Sequence, residues 1–422
     1  MNRKLESLET EAVDALALTK DIIDEFGPRL AGTDACRAAA RSLKDHFAKY
    51  CDTAHESTFT FAPRAFLGYF PFCFGAFLAL LFSFAIAPSN PLFLGISAAL
   101  LLTGLAVIIL QFVYYRQATD IVYPKSQGVN IHAVMEPKGK ATRQVIVSGH
   151  HDSAHIFTFL NKWQELYMFR VLGGFLSFIL AVLFSVAATA SAIMGYTIPY
   201  HTAICSVGAI SGLFLVAPLL RFESSRVTVG AGDNLIACTI AVGIAKMFHI
   251  DRPEQTRLIF ATFDAEESGL RGSDAWAKKH GELLNELPTT VINMDSIWKP
   301  EDLQVMVSDV NCTVQLSDKL GDTLLEVAAA AGVDAKKFRM VFGGGATDAA
   351  SFARVGVDAI TILGLPTSAV RSNLVYHTDY DTVDSIHPAA VEATLQMIAA
   401  YVHHVDAALP MEADVRQVKK IQ

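Results

Sequence analysis

Two stretches of this chain carry no charge: residues 65–115 and 171–220 contain no Asp, Glu, Lys or Arg. All 34 basic and 42 acidic residues lie outside them, at a density ordinary for a soluble domain. A helix crossing about 30 Å of hydrocarbon needs about 20 apolar residues. Each stretch is long enough for two such helices and a turn. In the first, 66–87 and 92–115 flank Pro88-Ser89-Asn90-Pro91; in the second, 171–195 and 202–220 flank 196–201. Tyr69, Tyr114, Tyr115, Tyr196 and Tyr200 sit near the edges, as an interfacial aromatic belt would. The expectation is two transmembrane hairpins, four helices in all. Buried hairpins in a soluble core are the alternative, but uninterrupted apolar runs of this length are rare there. Without Asp, Glu, Lys or Arg the spans offer no ion or proton path and read as an anchor.

Each hairpin returns the chain to the side it left. Residues 1–64, 116–170 and 221–422 therefore share one membrane face and form one catalytic domain, interrupted by hairpins at 65–115 and 171–220. That face carries Arg64, Arg116, Lys162, Arg170, Arg221 and Arg226 beside the spans, while the far turns carry no Lys or Arg. The positive-inside rule then puts the domain in the cytoplasm. No signal-peptide pattern is visible, since the first apolar run starts at Ala65 behind a charged segment. The net charge of −8 argues against nucleic-acid binding. Six cysteines without a CxxC pair argue against a disulfide framework and a thiolate zinc site.

The charged segments alternate short apolar or β-branched runs with amphipathic ones. Strands are predicted at 128–135, 144–148, 257–262, 290–294, 303–307 and 358–363. Helices are predicted at 5–25, 34–49, 234–248, 273–280, 314–331, 348–354 and 388–408. The alternation predicts an α/β fold, a three-layer sandwich around a mostly parallel mixed sheet, with the last dozen residues as a polar tail. Sites in such sheets form at the carboxyl ends of strands.

Polar motifs stand at those ends. Ser148-Gly149-His150-His151-Asp152-Ser153 follows a strand; His150 and Asp152 point to the same side if the strand geometry persists. Asp152 could then hold the second ring N–H of a metal-bound His150. Otherwise this is a polar loop with incidental histidines. Gly230-Ala231-Gly232-Asp233-Asn234 opens an apolar helix and could simply cap it. Asp264-Ala265-Glu266-Glu267 ends another strand; adjacent carboxylates suit a division between metal ligand and base, or an acidic first turn. Asn293-Met294-Asp295 ends a fourth strand. Tyr376-His377-Thr378-Asp379-Tyr380-Asp381-Thr382 lies in a polar segment, where a lone His is usually a surface residue. Taken together, His150, Asp233, Glu267, Asp295 and His377 make five oxygen or nitrogen ligands. They suit two zinc ions if one carboxylate bridges, and Glu266 is left over as a general base. Cobalt or manganese could fill similar donors.

The order HxD, GxGDN, EE, NxD, YHTxxDT resembles the di-zinc aminopeptidases of peptidase clan MH, which include bacterial leucyl aminopeptidases and glutamate carboxypeptidase II. The resemblance spans about 120–405. It implies that His150 and Asp295 bind one zinc, Glu267 and His377 the other, that Asp233 bridges them, and that Glu266 is the catalytic base. It also implies a cis peptide at Asp233–Asn234. The implied function is a membrane-anchored aminopeptidase acting on peptide substrates, with the lipid bilayer as a partner, room for a homo-oligomer and no nucleic acid. Membrane-anchored members with many spans include some whose catalytic domain faces the endoplasmic-reticulum lumen. Two departures stand out. Ala349, in Gly343-Gly344-Gly345-Ala346-Thr347-Asp348-Ala349, replaces a histidine common in the family, and the hairpins interrupt the catalytic domain instead of preceding it. The Gly-rich run is no phosphate loop, since no Lys-Ser/Thr follows it. Rival readings on the same fold are a glutaminyl cyclase, which would need one zinc and fewer ligands; a carboxypeptidase, for which Arg371 is a lone candidate to hold a substrate carboxylate; and a non-catalytic receptor or scaffold, which would be expected to have lost ligands.

Overall fold

The computed structural model describes residues 2–366 and 374–408, so Arg371 and the polar tail lie outside the described residues. The apolar runs assemble into one eight-stranded sheet. In chain order its strands are β1 (Thr53–Phe61), β2 (Ser126–Met135), β3 (Arg143–His150), β4 (Thr256–Phe263), β5 (Thr289–Asp295), β6 (Gln304–Met306), β7 (Lys336–Phe338) and β8 (Asp358–Leu363). Their spatial order is β1-β2-β4-β3-β5-β8-β6-β7. The central four, β4, β3, β5 and β8, are mutually parallel, while β1 and β2 run antiparallel at one side. β3 is buried almost throughout, as a parallel strand covered on both faces must be.

Side chains alternate between the two faces. Val145, Val147, Leu258 and Phe260 face the helices Asn2–Phe26, Asp34–Phe47, Ile236–Ile250, Asp318–Ala330 and Pro388–Ala407. Ile146, Ile259, Ala261 and Phe263 face Trp276 of helix Arg271–Lys279 and Phe352 of helix Ala349–Arg354. This is the expected mixed α/β layering. Local chemistry sets the helix starts. Thr33 caps Asp34–Phe47 by accepting from the Cys36 N–H, and Ser317 caps Asp318–Ala330 by accepting from the Leu320 N–H. The second cap moves the predicted start from 314 to Asp318; Val314–Gln315 is instead a short strand against Ser308–Asp309.

The first charge-free stretch forms helix Phe70–Ile86, which starts with Pro71 in its first turn, and helix Pro91–Val107, extended by a wider turn over Ile108–Val113. The second forms Gln164–Ile193 and His201–Ser211, the latter continuing irregularly to Arg221. Cys73, Phe77, Leu80, Leu101, Phe178 and Val182 pack inside this bundle, and the hydroxyls of Ser83 and Ser97 meet across it at 2.8 Å. Phe82, Leu92, Leu176 and Phe214 point outward, each more than half exposed.

Four described helices are long and apolar enough to cross a membrane: Pro91–Val113, Gln164–Ile193, His201–Arg221 and Ala231–Ile250. They are not quite the four expected. Phe70–Ile86, at 17 residues, is shorter than the others, at the lower end of a spanning length. Ala231–Ile250 has 89% of its most apolar window buried, so it is the core helix of the sandwich.

The ends of the first stretch meet, Phe66 lying 4.7 Å from Tyr115. The second is pinched at its base by a two-stranded sheet, His155–Phe157 against Glu223–Val227.

Candidate metal centre

Parallel pairing lines up the strand ends. His150 ends β3 opposite Phe263 of β4, and Asp295 ends β5 opposite Leu363 of β8. The chain after β4 turns at once into Glu266-Glu267. Asp233 sits where residues 231–235 turn into the core helix, and its peptide bond to Asn234 is cis. The Asn234 side chain ties this turn to β5, donating to the Met294 carbonyl at 2.9 Å and accepting from the Ser296 N–H at 3.3 Å. Residue 232 must be glycine, because a Cβ there would collide with the Trp298 indole.

These elements bring all seven expected site residues together. Asp233 faces two histidines, its Oδ1 3.3 Å from His150 Nε2 and its Oδ2 3.1 Å from His377 Nε2. Glu267 Oε1 is also 3.1 Å from His377 Nε2. His150 Nε2 lies 3.8 Å from Glu266 Oε2 and 3.9 Å from Asp295 Oδ2. Asp152 Oδ1 stands 3.3 Å from His150 Nδ1 and accepts from the Glu266 N–H; its Oδ2 accepts from the Glu267 N–H, both at 3.2 Å. One carboxylate thus aligns a histidine and both glutamates. The triads His150–Asp233–Asp295 and Asp233–Glu267–His377 each have ligand atoms within 4.8 Å of one another and share Asp233.

The centre is buried and its charges do not balance. Asp233, Glu266, Glu267 and Asp295 surround only two imidazoles, and Asp233 Oδ2 and Glu267 Oε1 share the single Nε2 of His377. Burial pushes the Glu266 carboxyl well above its ordinary range; His150 opposes this, and Glu267 and Asp295 add to it. Burial likewise raises Glu267 and Asp295, partly offset by His377 and His150 respectively. Burial would raise Asp233 too, but hydrogen bonds to His150 and His377 hold it below the carboxylate range. His377 is pushed up to about 10, burial being outweighed by Glu267 and Asp233. Such a set fits a cation: buried carboxylates in excess of the bases around them are stabilised by a positive ion at their centre.

Several supporting residues escaped the sequence reading. Asp381 accepts from the N–H groups of Gly232 and Asp233 and from Trp298 Nε1, at 2.8, 3.2 and 2.9 Å, and burial pushes its carboxyl up to about 7. Arg29, fully buried, gives its guanidinium to the carbonyls of Gly27, His151, Val229 and Gly230. It staples the loop after β3 to the turn before Asp233. Arg271 pairs with Asp120 at 2.8 Å and donates to the Gly269 carbonyl, beside the two glutamates. A signal for Asp381 existed, since it lies inside the quoted 376–382 motif. Arg29 and Asp120 are isolated charges, far in sequence from what they hold. Ala349 is buried at the start of helix Ala349–Arg354.

Removing the Asp381 carboxylate leaves three buried donors unpartnered. Asp381→Ala should destabilise by about 1–3 kcal/mol for each donor that finds no substitute. Denaturation midpoints of the two proteins check this, and an unchanged midpoint would show that Asp381 does not hold the turn.

Residues 216–402 match the sequence profile of Peptidase family M28. The enzyme class that follows is zinc metallopeptidase. The matched segment contains Asp233, Glu266, Glu267, Asp295 and His377; His150 and Asp152 precede it and join it through β3. Solved structures with the same fold include a Zn-dependent exopeptidase from Parabacteroides distasonis, at 13% identity over 93% of this chain and 97% of that one (TM-score 0.55). A glutaminyl cyclase from Porphyromonas gingivalis matches at 12% identity over 93% and 98% (TM-score 0.55). A leucine aminopeptidase precursor from Bacteroides thetaiotaomicron matches at 12% identity over 93% and 96% (TM-score 0.53). These likenesses show that the chain shares the fold of those proteins.

Proposed function

We propose that the protein is a membrane-anchored di-zinc exopeptidase that removes N-terminal residues from peptides. The observation that carries this reading is the sharing of Asp233 between two triads, one oxygen toward His150 and the other toward His377. His150 and Asp295 would hold one zinc, Glu267 and His377 the second, with Asp233 bridging. Two zinc ions, when bound there, supply an acidified water and polarise the scissile carbonyl.

The chain's own groups do the rest. Glu266 Oε2 takes a proton from the attacking water and returns it to the leaving amine. Asp152 fixes the His150 ring and the backbone of both glutamates, so base and ligands keep their spacing. A free substrate amine held by a carboxylate of this centre would restrict cleavage to the first residue. Residues 1–64, 116–170 and 221–422 form the catalytic domain, 65–115 and 171–220 anchor it, and the basic residues beside the spans favour a cytoplasmic domain.

The test is a mixed peptide library incubated with zinc-supplemented wild type and with Glu266→Ala, read by mass spectrometry. Loss of single N-terminal residues in the wild type alone supports the reading and gives the residue preference. C-terminal trimming replaces it with a carboxypeptidase, and N-terminal loss of water or ammonia with a glutaminyl cyclase. No product from zinc-bound wild type rejects a general exopeptidase.

A further inference from the structure

The roots of both charge-free hairpins meet at the candidate metal centre. Phe66, where the first hairpin starts, stands 4.7 Å from Tyr115, where it ends. Phe66 also covers Gly269, where a Cβ would come within 2.7 Å of its ring. The Gly269 N–H donates to the Glu266 carbonyl at 2.8 Å, so the turn under Phe66 is the one bearing both glutamates. Asp120, just beyond the hairpin, braces the same turn through Arg271.

The second hairpin does the same on the other side. Phe222, just past its end, lies 4.5 Å from Phe157, in the short strand that precedes it. Phe157 lies 4.1 Å from the His377 ring and donates its N–H to the His377 carbonyl at 2.9 Å. Phe70, at the head of the first hairpin, is 6.0 Å from Phe222 and joins the two roots. Phe66, Tyr115, Phe157 and Phe222 are all half-buried.

The helices that rise from this rim turn apolar faces outward at once: Phe72, Phe169, Leu172 and Leu176 are 41%, 65%, 56% and 57% exposed. A run of ring contacts, His377 to Phe157, Phe157 to Phe222 and Phe222 to Phe70, links the centre to the base of these helices. Aromatic rings with one wet and one apolar side are the residues that settle at a lipid headgroup layer.

We propose that the substrate is a peptide presented by the bilayer itself: a membrane-inserted chain whose apolar N-terminal residue emerges at the lipid surface and passes over the Phe66, Tyr115, Phe157 and Phe222 rim to the metal centre. This rests on the exopeptidase reading above and adds where its substrate comes from.

The experiment uses the full chain, zinc-supplemented, in phosphatidylcholine vesicles. Three peptides share one apolar N-terminal sequence. The first two carry a membrane-spanning apolar tail after a spacer of five or of fifteen residues, and the third is water-soluble. A five-residue spacer reaches no more than about 18 Å and a fifteen-residue one about 50 Å. The expected result is trimming of both tailed peptides with kcat/KM at least about tenfold above the soluble one, the short spacer included. Trimming of the fifteen-residue spacer but not the five-residue one would place the centre away from the lipid surface and overturn the proposal. Equal trimming of soluble and tailed peptides would overturn it too, while leaving the exopeptidase reading intact. Trimming of none of the three, the soluble control included, would reject that reading and this proposal with it.

Discussion

Glu266→Gln should keep the metal content of the wild type and lose at least about 100-fold in turnover, the usual contribution of a positioned general base. The argument is geometric. Glu266 lies 3.8 Å from His150 but outside the two triads that share Asp233, so an amide there removes a proton acceptor and leaves the proposed ligand set whole. His377→Ala is the counterpart: it should halve the zinc bound per chain, since His377 stands in one triad only. Zinc per chain by elemental analysis, beside kcat on a trimmed peptide, reads both. A Glu266→Gln protein with more than about a tenth of wild-type turnover would remove Glu266 from the base role. Full zinc occupancy in His377→Ala would remove His377 from the ligand set.

Asp120→Ala should be strongly destabilising. Arg271 and Asp120 are 2% and 5% exposed, and burial already lowers the Arg271 pKa against the pull of Asp120. Deleting the carboxylate strands a buried guanidinium, at a cost of about 3–5 kcal/mol. The pair Asp120→Leu with Arg271→Met should recover most of that stability, because two apolar groups leave no orphan charge. Unfolding midpoints in detergent compare the three proteins. A loss under about 1 kcal/mol for Asp120→Ala would mean that water reaches Arg271, as it does at exposed ion pairs.

What could be read from the chain follows the range of the forces involved. The strand-end motifs were legible because a parallel strand writes itself as a short apolar run, and the polar residues that interrupt it fall at its carboxyl end: His150, Glu266 and Asp295 sit there. The cis bond after Asp233, implied by the family resemblance, is present. The charge-free stretches were legible by absence, and they form helices near the expected bounds. β1 was missed because Thr53–Phe61 is an edge strand with His55 and Glu56 in it, so no apolar run announces it. Arg29 and Asp120 were missed because one charged residue has no local pattern. Arg29 acts on carbonyls more than 100 residues away and Asp120 on Arg271, 151 residues on. Ala231–Ile250 shows the limit of composition: it is greasy enough for a bilayer, and only its place behind β3 makes it a core helix.

The interleaving of hairpins and strands also sets a timetable for synthesis. β3 is flanked in the sheet by β4 and β5, and both are encoded after the second hairpin. When the ribosome has finished β3, neither neighbour exists, and the second hairpin is still to emerge. The catalytic sheet therefore cannot close until both hairpins have been made and have found a place to go. A nascent chain whose hairpins stay in water holds two unsolved hydrophobic problems at once, with an unpaired central strand between them. If the hairpins enter a membrane, that membrane becomes the surface on which the two halves of the sheet are brought together.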